Sequence, residues 1–136
     1  MEIDPNDSDT LWVGTGENNA QRSVAAGDGV YKSVDGGKSW TNMGLEASGH
    51  ISQIWINPED SDEVLVAAQG PLWSDGGDRG LYRTTDGGRT WELLLNVDEH
   101  TGKCGRVVLC GEPFPKALAY CNCPEKDGHS SWPRAM

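Results

Sequence analysis

Two aspartates hold the clearest chemical potential in this sequence, because each sits in a near-identical octapeptide. The first is Ser33-Val34-Asp35-Gly36-Gly37-Lys38-Ser39-Trp40 and the second is Thr84-Thr85-Asp86-Gly87-Gly88-Arg89-Thr90-Trp91. A carboxylate pair is the basic equipment for glycoside hydrolysis, one group acting as acid and the other as base or nucleophile across about 5 to 10 Å. Metal ligation is the other chemistry open to them. The same residues also have a structural use. An aspartate at the head of a tight turn accepts hydrogen bonds from following backbone N–H groups, glycine takes positive φ, and the Ser or Thr hydroxyl closes the loop. The tryptophan at the end then buries a large ring. With 21 acidic residues in the chain, a carboxylate pair by itself decides nothing, and no His-Glu-x-x-His, Gly-x-Ser-x-Gly or phosphate-loop motif occurs. No catalytic residue is assigned.

Two long polar segments are candidates for recognition. One runs from Gly16 to Asp28 and holds Glu17, Asn18, Asn19, Gln21 and Arg22; the other runs from Gln69 to Arg79 and holds Trp73, Asp75, Asp78 and Arg79. A tryptophan near carboxylates and amides suits a carbohydrate or peptide surface, since an aromatic face offers area at little entropic cost. Glu17, Asn18, Asn19, Arg22, Trp73 and Arg79 are therefore the candidate ligand-binding residues. The alternative is that these are solvated loops and that Trp73 is a packing residue. His50 and His100 recur at an interval of 50, which favours a role tied to a repeat over catalysis. Cys104, Cys110, Cys121, Cys123 and His129 could hold zinc, but the cysteine spacings of five, ten and one intervening residues are not paired knuckles. A disulfide-tied segment is the competing reading, and no metal or cofactor is assigned.

The elements that must position these residues come from an internal repeat. The run from Asp4 to Val13 aligns with Asn57 to Val66 at an offset of 53, and Gly29 to Trp40 aligns with Gly80 to Trp91 at an offset of 51. Within the second copy, His50 to Asn57, Glu63 to Ala68, Gly80 to Thr84 and Thr90 to Leu94 read as strands. The last two are joined by the Asp86-Gly87-Gly88 turn. Four antiparallel strands in a period of about 50 residues is the mark of a β-propeller blade. The expected fold is all-β, with about one and three quarter blades. Residues 1–44 form an incomplete first blade, residues 45–97 a complete second blade, and residues 98–136 a tail that is irregular or altered in reading frame. A propeller closes with about four to eight blades, so the expectation is a piece of a longer propeller or a chain that self-associates.

The two octapeptides resemble the Asp-box of BNR-repeat propellers, found in sialidases and in sortilin-type (VPS10) receptors. Further matching features are Leu11-Trp12-Val13-Gly14-Thr15-Gly16, Gly27-Asp28-Gly29-Val30-Tyr31 and the stretch from Gly44 through Val97-Asp98-Glu99-His100-Thr101-Gly102. These are most similar to the bacterial sortilin-like propellers often labelled glycosyl hydrolases. The resemblance covers about residues 1–102. It implies that Ser33, Asp35, Gly37, Ser39, Trp40, Thr84, Asp86, Gly88, Thr90 and Trp91 are structural turn residues remote from any active centre, and that the protein is secreted or periplasmic. It leaves open a binding or protein-interaction scaffold on one side and a propeller hydrolase on the other. A sialidase would need an arginine cluster for the sugar carboxylate. Only Arg22, Arg79, Arg83 and Arg89 lie in this part of the chain, and the last two flank the second octapeptide.

Composition divides the 136 residues at the same place. Residues 1–102 hold 18 acidic and 6 basic residues, net -12, whereas residues 103–136 hold 3 and 5, net +2. All four cysteines fall in the later segment. An overall charge of -10 argues against nucleic acid as a partner, because that binding rests on Lys and Arg neutralising phosphates. No apolar run approaches the roughly 18 residues that span a bilayer, and no leader pattern is visible. Protein, peptide or carbohydrate remain as possible ligands.

Overall fold

The computed structural model describes residues 1–17, 25–71 and 76–96, together with the backbone of three later strands. It is all-β. The first sheet is formed by β1 (Glu2–Asp4), β2 (Asp7–Gly14), β3 (Val30–Ser33) and β4 (Thr41–Asn42), and the second by β5 (Ile51–Asn57), β6 (Asp60–Gln69), β7 (Arg79–Thr84) and β8 (Glu92–Asn96). Each sheet has its strands in sequence order, and every pairing is antiparallel. These are two consecutive propeller-type blades. Among the described residues no helix is long and apolar enough to cross a membrane.

Local chemistry dictates the same hairpins twice. Between β1 and β2, Asp4 accepts the Asn6 backbone N–H at 2.8 Å, and between β5 and β6 Asn57 accepts that of Glu59 at 2.9 Å. A second Asx bond follows in each copy, from Asp9 N–H to Asp7 and from Asp62 N–H to Asp60, both at 3.1 Å. Side-chain oxygens that bond two residues onward mimic a backbone turn and fix the register of the strands they join. The turn in the second copy is so tight that β6 begins at Asp60, three residues before the apolar run starting at Glu63. At the other hairpin β8 begins at Glu92 rather than Thr90, because Thr90 is still bonded into the turn.

The core lies between the sheets. Trp12, Val30 and Leu45 of the first unit meet Ile51, Ile54, Ile56, Val64, Val66 and Ala68 of the second, with Met43, Tyr82 and Trp91 packed against them. Trp12 is at the centre. The Trp91 ring meets it edge to face with centroids 6.3 Å apart, and Lys32 Nζ stands 5.0 Å over it. Polar bonds stitch the rest of the seam. Trp91 Nε1 donates to Met43 O at 2.7 Å, Ser61 Oγ to Asp4 at 2.9 Å, and Ile51 N–H to Thr15 O at 3.0 Å.

Residues 103–136, where the sequence offered no strand, contribute β9 (Arg106–Cys110), β10 (Lys116–Tyr120) and β11 (Arg134–Ala135). They form a third antiparallel sheet of order β11-β10-β9. β9 runs beside β5 and β6 as β5 runs beside β1 and β2.

Candidate functional site

The strand order separates the candidate residues into two ends. The β1–β2 and β3–β4 turns, with their counterparts in the second sheet, lie at one end. The long β2–β3 and β6–β7 connections and the link from β4 to β5 lie at the other. Asp35 and Asp86 are therefore at the turn end, away from both long loops. Backbone bonds hold them there: Gly36 N–H donates to Asp9 O at 2.9 Å and Gly87 N–H to Asp62 O at 3.0 Å.

Inside each octapeptide the geometry repeats almost atom for atom. Ser33 Oγ donates to Asp35 Oδ1 at 2.8 Å and accepts the Gly37 N–H at 2.9 Å. Ser39 gives its N–H to Oδ1 at 2.9 Å and its hydroxyl to Oδ2 at 2.6 Å. In the second copy Thr84 donates to Asp86 Oδ1 at 2.7 Å and accepts the Gly88 N–H at 2.9 Å, while Thr90 bonds Oδ1 at 2.9 Å and Oδ2 at 2.5 Å. Ser33 and Thr84 are buried. Gly36, Gly37, Gly87 and Gly88 all take positive φ, between 71° and 97°. The tryptophans differ: Trp91 reaches across to the first sheet, whereas Trp40 Nε1 turns back to its own Gly37 O at 3.1 Å.

Both oxygens of each aspartate are thus engaged in charge-assisted bonds within the turn. Bonds from Ser39 and then Ser33 hold the Asp35 carboxyl down from 3.8 to about 2, and Thr90 and Thr84 hold Asp86 lower still. A carboxyl depressed in the fold contributes stability that is complete above its unfolded value and fades as pH falls through its folded one. We expect the urea midpoint to hold above about pH 4 and to decline between about pH 4 and about pH 2. In an Asp35→Asn, Asp86→Asn variant that decline should be shallower, and an equal slope in both proteins would contradict the assignment.

The loop end holds the other candidates. Glu17 is exposed, and its N–H bonds Ala25 O at 3.0 Å. Asp28 accepts the Tyr31 hydroxyl at 2.7 Å. Asn18, Asn19, Arg22 and Trp73 lie outside the described residues. Arg79 is only 6% exposed and donates to Pro71 O at 2.6 Å and to Gly76 O at 3.4 Å, so its guanidinium closes its own loop. Asp78 accepts the Ala47 N–H from the link between the sheets at 3.2 Å. Burial, and then the charge of Asp78, push the Tyr82 hydroxyl up from its ordinary value.

A buried polar cluster that the sequence reading did not single out lies beside these loops. Ser48 Oγ donates to His50 O at 2.8 Å and accepts the Gly70 N–H at 3.0 Å, and Gln69 N–H donates to His50 O at 2.9 Å. His50 Nδ1 and Gln69 Oε1 are buried and have no hydrogen-bond partner among the described residues. The signal for His50 was its recurrence at an interval of 50; nothing in the sequence distinguished Ser48 from other small polar residues. Among the described residues no group of three or more His, Cys, Asp or Glu side chains is placed to hold a metal ion. The four cysteines have no described side chains.

No family model matches the sequence. The chain is 33% identical over 99 residues to a protein of Neosartorya fischeri described as a probable oligoxyloglucan-reducing end-specific xyloglucanase. That match takes in 69% of this chain and 10% of the relative, so the chain spans about a tenth of the length of the curated relative it matches.

Proposed function

We propose that this chain is a stretch of an Asp-box β-propeller of the sortilin-like type, exported from the cytoplasm, whose loop end is a ligand-binding or protein-interaction surface. One observation carries the reading. The two aspartates that the repeat singles out spend both carboxylate oxygens on holding turns, at the end opposite the long loops. The repeat chemistry therefore builds the scaffold, and recognition falls to the loop residues Glu17, Asn18, Asn19, Arg22, Trp73 and Arg79. Arg79 serves by fixing the shape of its loop.

A second reading is favoured by the similarity to the xyloglucanase. In it the blades belong to a glycoside hydrolase, and the loop end faces an oligosaccharide. A panel of oligosaccharides that includes xyloglucan fragments separates the two, with saturation followed by calorimetry and turnover by release of reducing ends. Saturable binding without turnover is the expected result. Turnover abolished by Glu17→Gln or Asp28→Asn would overturn the scaffold reading in favour of the hydrolase.

A further inference from the structure

A cation in the first repeat unit lacks the carboxylates that surround its counterpart in the second. At the repeat offsets Lys32 corresponds to Arg83, Thr10 to Glu63 and Thr41 to Glu92. In the second sheet Arg83 forms an ion pair with Glu63 at 2.5 Å and stands opposite Glu92 across the β7–β8 ladder. In the first sheet the same two places are threonines, and Lys32 stands opposite Thr41 across the β3–β4 ladder. No carboxylate among the described residues pairs with Lys32. Its Nζ lies over the Trp12 ring and donates to Gly87 O at 3.3 Å.

Lys32 lines a groove of about 190 Å³ together with Val34, Ser39, Thr41 and Met43. Lys32 is in register with both Trp12 and Thr41, so strand alternation puts the groove on the face that meets the second sheet. That sheet closes its inner end: Trp91 Nε1 donates to Met43 O at 2.7 Å, and a Cβ built at Gly88 would lie 2.9 Å from Met43. The outer side is open, with Val34 66% exposed and Thr41 exposed as well. Two acids lie nearby. Asp35 has both oxygens bonded within its turn, and Asp62 lies by Gly87 without pairing with Lys32.

Sites that enclose a whole small ligand run from about 300 to about 1,000 Å³, so a groove of about 190 Å³ suits a single side chain. The backbone beside it can hold the rest of a peptide. β4 ends the order of its sheet, and nothing among the described residues pairs with its outer edge. Met43 N–H bonds Val30 O, so by alternation the Asn42 N–H and C=O face outward. Unpaired edge groups of this kind are a template for an added strand. We propose that an extended peptide adds to this edge at Asn42 and places one carboxylate in the groove against Lys32. Alternation along the peptide sends the side chain next to the residue at Asn42 onto the Thr41 face, over the groove. A glutamate stem there lies on Val34 and Met43, and its carboxylate meets Lys32 Nζ and the Thr41 hydroxyl. The peptide thus supplies what Glu63 and Glu92 supply in the second sheet. Residues 1–102 hold 18 acidic and 6 basic residues and repel anions at long range, so the occupant that fits carries one carboxylate among uncharged residues. This goes beyond the loop-end reading, and neither stands or falls with the other.

The test is calorimetric titration of the full 136-residue chain with the blocked pentapeptide acetyl-Thr-Val-Glu-Val-Thr-amide and its glutamine analogue, with hydrogen exchange on the same samples. The expected result is saturation by the glutamate peptide at or below millimolar concentration, with slowed exchange of the Asn42 amide. The glutamine peptide should bind at least about fivefold more weakly, the scale of an ion pair at a partly exposed site. Lys32→Gln should bring the two peptides to equal affinity. Because Lys32 also covers Trp12, Val34→Asp is the second variant. Val34 is exposed, so the fold should survive, and a carboxylate there should weaken the glutamate peptide about fivefold or more while leaving the glutamine peptide nearly unchanged. Absence of saturation, equal affinity for the two peptides, or a preference for glutamate that survives both variants would overturn the proposal. So would saturation without protection of Asn42, and so would equally tight binding of propionate, which has the stem and carboxylate of glutamate but no backbone.

Discussion

Trp12→Ala should remove about 3 to 5 kcal/mol, the range for deleting a large aromatic side chain from a core. Domains of this size have about 5 to 15 kcal/mol in total, so the variant should be largely unfolded or unfold at far lower urea. Trp12 is fully buried and is the meeting point of both sheets: Trp91 touches its edge, Lys32 lies over its face, and Gly88 approaches its ring. Truncation would leave a cavity that two packed sheets cannot collapse without losing the Trp91 Nε1 bond to Met43 O. Trp12→Phe is the matched control. The Trp12 Nε1 has no hydrogen-bond partner among the described residues, so its loss takes away none of the bonds described, and the phenyl ring, filling most of the space, should cost clearly less than truncation to alanine. Urea titrations followed by far-UV circular dichroism check both values independently of the tryptophan signal. A loss for Trp12→Ala no larger than that for Trp12→Phe would mean that the seam does not depend on this ring.

Much of this fold was legible because the sequence repeats. Turn chemistry is local, so Asp4, Asn57, Asp35 and Asp86 could be read from their neighbours alone, and strands on either side of a fixed turn follow by alternation. Strand limits were less legible. β6 starts early because Asn57 closes a turn only one residue beyond Pro58, and β8 starts late because Thr90 is bound to Asp86. Those are contests between side-chain and ladder bonds, which spacing alone does not rank. The third sheet lay hidden because residues 103–136 carry no octapeptide and change composition at their start.

The candidate site was less legible than the fold. Arg79 looked like a ligand residue because charge on a long loop reads as exposed. Its burial depends on Pro71 and Gly76 carbonyls converging on it, which only the folded loop decides. The importance of Trp12 was equally hidden. In Leu11-Trp12-Val13 it is one member of an apolar run, and its partners come from residues more than 70 positions away as well as from the adjacent strand.

The second large effect is at Gly88, and Gly37 is its internal reference. The two glycines hold the same place in the two turns, with φ of 97° and 87°. Alanine at either position meets the penalty of a left-handed backbone, about 1 to 2 kcal/mol. Only at Gly88 is there a neighbouring sheet in the way. A Cβ there would lie 2.7 Å from Trp12 and 2.9 Å from Met43, closer than carbon atoms tolerate. At Gly37 the nearest atoms, of Leu11 and Trp40, are at ordinary contact distance. Forcing Trp12 and Met43 aside should add about 1 to 3 kcal/mol to the Gly88→Ala loss.

That difference reports directly on whether the two repeat units are blades stacked face to face through Trp12. The measurement is the unfolding free energy of Gly88→Ala and Gly37→Ala, obtained by urea titration under one set of conditions. Gly88→Ala is expected to be the more damaging by at least about 1 kcal/mol. Equal losses at the two glycines, or a greater loss at Gly37, would contradict it.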